Sequence, residues 1–212
     1  MISTSTPAEQ RTLLRNISWQ TFESLLSDLG EHRSSRLTYN RGTLEIMTPL
    51  YEHEKPKEVL TALVGIIAEE LNIEIARAGS TTFKRQDLGR GAEPDSSFYV
   101  QNERLVRGKS KIDLRNDPPP DLVIEIDITS SSLDSFDIYS ALGVPEIWRY
   151  NGRVLQFFQL QEAEYIACEY SRIFPFLPVA EVARFLEESK TVGETTLLRS
   201  FRVWVRSKII SG

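Results

Sequence analysis

Cysteine occurs once in this 212-residue chain, and histidine and methionine twice each. The single thiol, Cys168, forms no disulfide within the chain, and no neighbouring cysteine or histidine completes a zinc motif around it. Two histidines, His32 and His53, leave little room for a histidine-rich metal site or a Ser-His-Asp triad. No apolar run approaches the roughly 20 residues of a membrane helix, and the opening MISTSTPAEQRTLLRN lacks an apolar signal core. A cytoplasmic location without a membrane partner is therefore the expectation. Positive charge is not in surplus either: 25 Lys and Arg stand against 30 Asp and Glu, for a formal net charge of −5. That balance argues against coating nucleic acid by bulk electrostatics, while leaving room for a local basic patch. What is left is carboxylate chemistry.

The remaining composition, 41% hydrophobic and 26% charged, is that of a globular protein with one real core. A single domain over 17–210 is expected, preceded by a flexible segment at 1–16. Ser18 is positioned to cap a helix carrying Trp19, Phe22, Leu25, Leu26 and Leu29 on one stripe and ending at Gly30. RLTYNRGTLEIM alternates about Asn40-Arg41-Gly42 and predicts a hairpin. A long helix follows over 53–71, with Val59, Leu63, Ile66, Ile67 and Leu71 facing one way. IEIARAG, TTFKRQD and SSFYVQ are short strand candidates, and SSSLDSFDIYSALG is a capped helix stopping at Gly143. EIWRY and RVLQFFQL form strands about the Asn151-Gly152 turn, and Leu197, Phe201, Trp204 and Val205 mark a C-terminal helix. The arginines of that last helix, Arg199, Arg202 and Arg206, fit a solvated face better than a phosphate-binding stripe.

DLVIEID, residues 121–127, poses the functional question. Strand alternation sends Leu122, Ile124 and Ile126 one way and Asp121, Val123, Glu125 and Asp127 the other. The acidic side is either a solvated outer face, the commoner arrangement, or the wall of a metal-binding cleft. A second acid, Asp95 in GAEPDSSFYV, follows Pro94 and precedes a strand. Because proline holds its predecessor extended, Glu93 and Asp95 run into that strand from a loop. A turn aspartate would look the same.

Three segments, RLTYNRGTLEIMTPLYEHE, GAEPDSSFYV and PPDLVIEIDITSSSLDSFDIYSALGVPEIWRYNG, together resemble the Uma-type family of restriction endonucleases within the PD-(D/E)XK nuclease superfamily. The resemblance runs from about Ser18 to the C-terminal helix. It implies an α/β fold with a restriction-endonuclease-like core: a mixed central β-sheet flanked by helices, with an N-terminal helix and hairpin and a C-terminal helix. It also implies a site in which Asp95 and Glu125 bind Mg²⁺ or Mn²⁺ together with the carbonyl of Ile126, since magnesium takes hard oxygen ligands and keeps several waters. Glu52, beside His53 at the start of the long helix, stands where related nucleases place a further acid. Asp127 holds the third position of the Glu-x-Lys part of the motif, so the lysine is missing there. Family members commonly carry a lysine four residues before the tyrosine that corresponds to Tyr139, and here that position is Ser135.

A serine supplies no positive charge to orient a nucleophile or stabilise a developing phosphorane. Lys84 or Arg85 on a neighbouring strand is a candidate migrated cation, only one of the two facing a cleft, while Gln86 could position water. The expected activity is metal-dependent hydrolysis of DNA phosphodiester bonds by a homodimer, the dimer by fold analogy alone. The alternative is a catalytically inactive nuclease-fold protein that binds nucleic acid or a protein partner. An unrelated α/β protein with solvated acids is the third. Trp148 and Tyr150 belong to a core or to a dimer interface.

Overall fold

The computed structural model describes residues 10–30, 35–48, 51–128 and 133–210. The chain opens with β1 (Gln10–Leu14) and α1 (Trp19–Leu29), the helix capped by Ser18, whose hydroxyl accepts from Thr21 N–H at 3.1 Å. β2 (Arg36–Asn40) and β3 (Thr43–Thr48) form the expected hairpin. Its two turn residues, Arg41 and Gly42, both have positive φ, at 45° and 90°. This is the sign pattern of a type I′ turn, whose twist matches the strands it joins. The long helix follows as α2 (Tyr51–Leu71), then β4 (Ala76–Arg77), β5 (Phe83–Arg85), β6 (Arg90–Ala92) and β7 (Ser96–Tyr99). A single turn, α3 (Glu103–Val106), and a loop lead to β8 (Leu122–Ile126), the strand singled out above.

After β8 come α4 (Ser135–Leu142), β9 (Glu146–Tyr150), β10 (Leu155–Gln161), β11 (Glu164–Cys168), α5 (Val179–Glu188) and α6 (Glu194–Ile210). Gly143 ends α4 in the left-handed conformation, at φ 80°. The loop between β9 and β10 is longer than a two-residue Asn-Gly turn. Tyr150 pairs with Leu155, and Asn151 Oδ1 accepts from Arg153 and Val154 N–H, so Arg153 and Val154 belong to the loop.

The strands divide into two sheets. β1-β3-β2-β6-β5 is antiparallel throughout, whereas β11-β10-β9-β8-β7-β4 contains one parallel pair, β8 with β9, joined by the α4 crossover. Leu122, Ile124 and Ile126 of β8 pack with Trp148 and Phe157 against α2, α5 and α6. On the opposite face Val123 packs with Ile147 against Ile138 and Tyr139 of α4. A third cluster seats Phe22 of α1 on Leu37, Tyr39 and Leu44 of the hairpin sheet.

The α/β architecture with a mixed sheet between helices matches the expectation. Two readings change, and one alternative is decided. The segment expected to be flexible through residue 16 contributes β1, which pairs along all of Gln10 to Leu14 with β3 because a hairpin edge leaves its N–H and C=O groups open. The solvated outer face does not exist as such: Val123 is fully buried and Asp121 nearly so. Trp148 and Tyr150 lie in the core, not on a dimer surface.

Candidate active site

The chain passes from the hairpin sheet to the mixed sheet within three residues, Glu93, Pro94 and Asp95, between β6 and β7. Both acids are buried and both tie neighbouring strands at this crossing. Glu93 accepts from Leu37 N–H of β2 at 3.0 Å and from the Thr82 hydroxyl. Asp95 reaches the other way: Ile126 N–H of β8 donates to its Oδ2 at 2.6 Å, while Oδ1 meets the Arg36 guanidinium. The antiparallel register pairs Ser96 with Ile124, which sets Asp95 abreast of Glu125. N–H and C=O of one strand residue point to the same side. Since Asp127 N–H donates to Tyr150 O on β9, the Ile126 carbonyl faces β7 and Asp95.

Glu125 stands half-buried above α4, where the Tyr139 hydroxyl donates to it. Burial drives its carboxyl pKa up to about 7, against the pull of the Tyr139 hydrogen bond and of Arg36 and Arg149; Asp127 adds to the rise. Burial likewise pushes the Tyr139 phenol well up. Asp127, just past the end of β8, is gripped by Arg149 of β9, and its Oδ1 lies 3.7 Å from Arg11 of β1. Arg11 in turn donates to Glu45 of β3 at 2.8 Å.

These groups enclose a cavity of about 40 Å³ lined by Glu125, Ile126, Asp127, Ser135 and Tyr139 with Arg11, Arg36 and Arg149. It has room for about three waters, enough for a hydrated ion and too little for a nucleotide. Among the described residues no three His, Cys, Asp or Glu side chains form a metal-binding group by themselves. Asp95 Oδ1 is covered by the Arg36 guanidinium, while the buried Asp127 Oδ1 accepts no hydrogen bond from the described residues. In donor chemistry two carboxylates and a strand carbonyl fit a magnesium shell completed by water, with Arg36 balancing the Asp95 charge in the metal-free protein.

Of the residues expected from the sequence, the fold brings Asp95, Glu125, Ile126, Asp127 and Ser135 together at one place. Glu52 lies in the first turn of α2, with its side chain outside the described residues, and His53 beside it is buried. Among the described side chains of α2, Glu54 approaches the site, 3.8 Å from Arg36. Neither candidate migrated cation serves: Lys84 is engaged by Glu23 at 2.6 Å and Arg85 by Asp87 at 2.6 Å, and Gln86 is exposed. Asp121 shares a face with Glu125 yet is a structural cap, accepting from Val100 N–H, Asn102 N–H and Asn102 Nδ2. The arginines are what sequence reasoning missed. Arg11, Arg36 and Arg149 come from three strands far apart in the chain, and only Arg149, three residues after β9's opening Glu146 and level with Glu125 in the parallel register, had a local signal.

A family model, Uma2, described as "Putative restriction endonuclease", matches residues 19–189. No curated protein matches the chain. Among solved structures, the chain is similar to one titled as a "putative nuclease belonging to DUF820" from Anabaena variabilis, at 13% identity and a TM-score of 0.47, with 71% of this chain and 90% of that one covered.

Proposed function

The chain belongs to the Uma2 family, and from that membership we propose that it is a nuclease hydrolysing DNA phosphodiester bonds with a divalent metal, Mg²⁺ or Mn²⁺, at Asp95, Glu125 and the Ile126 carbonyl. One observation carries the reading. The sheet crossing brings the buried Asp95 abreast of Glu125, with the Ile126 carbonyl on the same side, so that two carboxylates and a backbone oxygen converge beside the cavity.

When bound, the metal would polarise the phosphodiester and lower the pKa of an attacking water. The protein's own groups do the rest. Ile126 N–H fixes Asp95 Oδ2 and so aims Oδ1, while the Tyr139 hydroxyl fixes one oxygen of Glu125 and leaves the other for a ligand or a proton. In the metal-free protein burial raises the Glu125 carboxyl pKa to about 7, and as a ligand to a bound divalent ion it would be held ionised. Asp127, locked between Arg149 and Arg11, is a positioning residue that keeps β1, β8 and β9 in register around the cavity.

A second reading, a nuclease-fold protein that binds nucleic acid without cutting it, is favoured by Ser135, which lines the cavity at the position where the family resemblance leads to the expectation of a lysine. Cleavage of supercoiled plasmid with Mg²⁺ or Mn²⁺ separates the two. Under the nuclease reading wild type nicks or linearises plasmid, and Asp95→Ala and Glu125→Ala reduce the rate at least about a hundredfold. Under the second, wild type is silent. Activity that appears only in Ser135→Lys would mark a metal site that lacks its cation.

A further inference from the structure

Beside the small cavity runs a groove of about 1300 Å³ between α1, the start of α2, the β4–β5 connection and the loop at 109–112. Six of its lining residues are Lys or Arg (Arg36, Lys57, Arg77, Lys84, Lys109 and Lys111) against three Glu, in a chain whose overall charge is negative. Two residues, Arg36 and Glu93, line both the groove and the acidic cavity. Glu93 is committed to Leu37 N–H and Thr82. Arg36 is the cation at the junction.

We propose that Arg36 is the phosphate-binding residue of this site, supplying from β2 the positive charge that Ser135 does not supply from α4. The assignment rests on the nuclease reading for its chemistry, although its binding role can be measured without any cleavage. The neighbouring arginines are held elsewhere: Arg149 by Asp127 and over the Phe136 ring, Arg90 by Asn40 and Asp137. Arg36 has one guanidinium nitrogen on Asp95 Oδ1, while the other stands 3.8 Å from Glu54, outside hydrogen-bond range. A guanidinium presents five donors in a planar fork that matches two phosphate oxygens. The edge turned to Glu54 can therefore take a phosphate arriving along the basic groove, while the opposite edge stays on Asp95. That places the scissile phosphate between the groove and the two acids. Arg36 balances Asp95 in the free protein and would share it with a metal in the loaded one.

The test is binding of a labelled DNA duplex in EDTA over a range of salt, together with manganese-dependent thermal stabilisation and plasmid cleavage. The variants are Arg36→Gln, Arg36→Lys and, as a charge control on the exposed side of α6, Arg199→Gln. Arg36→Gln is expected to weaken binding and to lower the slope of log K against log salt by about one, the signature of one lost phosphate contact. Manganese should stabilise it at least as well as wild type, because Asp95 is freed, while any cleavage drops about a hundredfold. Arg36→Lys should keep the salt slope and lose affinity several-fold with the fork, and Arg199→Gln should match wild type. Should Arg36→Gln fail to fold, Arg36→Lys decides, and wild-type affinity in it overturns the assignment. Wild-type affinity and slope in Arg36→Gln overturn it too, leaving the nuclease reading untouched. The predicted binding losses in a protein that never cleaves would retain Arg36 and sink the nuclease reading. Wild type without salt-dependent DNA binding would overturn both.

Discussion

Residues that alternate identically along one strand face have different occupations here. On β8, Val123 fills a core, Glu125 faces the cavity, Asp127 is clamped by arginines and Asp121 caps a turn. What separates them is the chain opposite each. Asp121 meets two backbone N–H groups, at 2.7 and 2.9 Å, that have lost their strand partners, and a buried carboxylate satisfies them. Asp121→Ala is accordingly expected to lower stability by roughly 2–4 kcal/mol, measured by urea unfolding, with metal binding preserved. A loss of the metal effect at unchanged stability would instead put Asp121 in the site. Asp95 and Glu125 became candidates in the sequence through the family resemblance, since the Pro-Asp turn and the acidic strand face by themselves fit a turn aspartate and a solvated face equally well. Arg36 did not, since nothing local distinguishes it from a solvated arginine.

At the scale of elements, capping and turn chemistry behave as local rules predict: Ser18, Gly30, Gly42 and Gly143 stand where α1, the hairpin and α4 need them. The elements that escaped are short or lack contrast. β6 is three residues with a glycine in its middle, and it holds because Gly91 lets the Phe22 ring approach to 3.0 Å of where a Cβ would stand. β11 pairs with β10 through a two-residue turn at which Glu162 takes a φ of 56°. α6 is fastened to α2 by Arg202 and Arg206, whose guanidinium groups converge on Glu70 at 2.6 and 2.7 Å. Those hydrogen bonds, from Arg206 first and then Arg202, hold the Glu70 pKa below its ordinary 4.5. A depressed folded-state value contributes stability that is present above 4.5 and lost as pH falls through the lowered value. In acid, α6 should therefore lose hydrogen-exchange protection in wild type, and Glu70→Gln should show the loosened state already at neutral pH. A variant that exchanges like wild type at both pH values would remove the latch from the account.

For the molecule as a whole, the matched family segment ends at residue 189, yet the core does not. α6 buries Leu197, Phe201 and Val205 in the same cluster as Leu122, Ile124 and Trp148, and Phe201 meets Phe185 edge-on with ring centroids 4.9 Å apart. Truncation after residue 189 should consequently give an unfolded or aggregated chain, and Phe201→Ala should cost about 3–5 kcal/mol. A truncated protein with a cooperative unfolding transition would show that α6 is an addition rather than part of the core. A homodimer stays a proposal from fold analogy, to be tested by sedimentation, and Trp148 and Tyr150 are already spent on the core. The sequence by itself determined the order of the main elements, because hydrophobic period and turn residues act over a few neighbouring positions, while the class of the fold and the candidate pair of acids came through its resemblance to a family. Only the tertiary structure decided that β1 exists, that the acidic strand is covered on both faces, and that arginines from β1, β2 and β9 surround the acids. Strand pairing between residues as distant as Arg36 and Asp95, or Arg11 and Asp127, depends on loop closure and burial over the whole chain, and no local pattern encodes it.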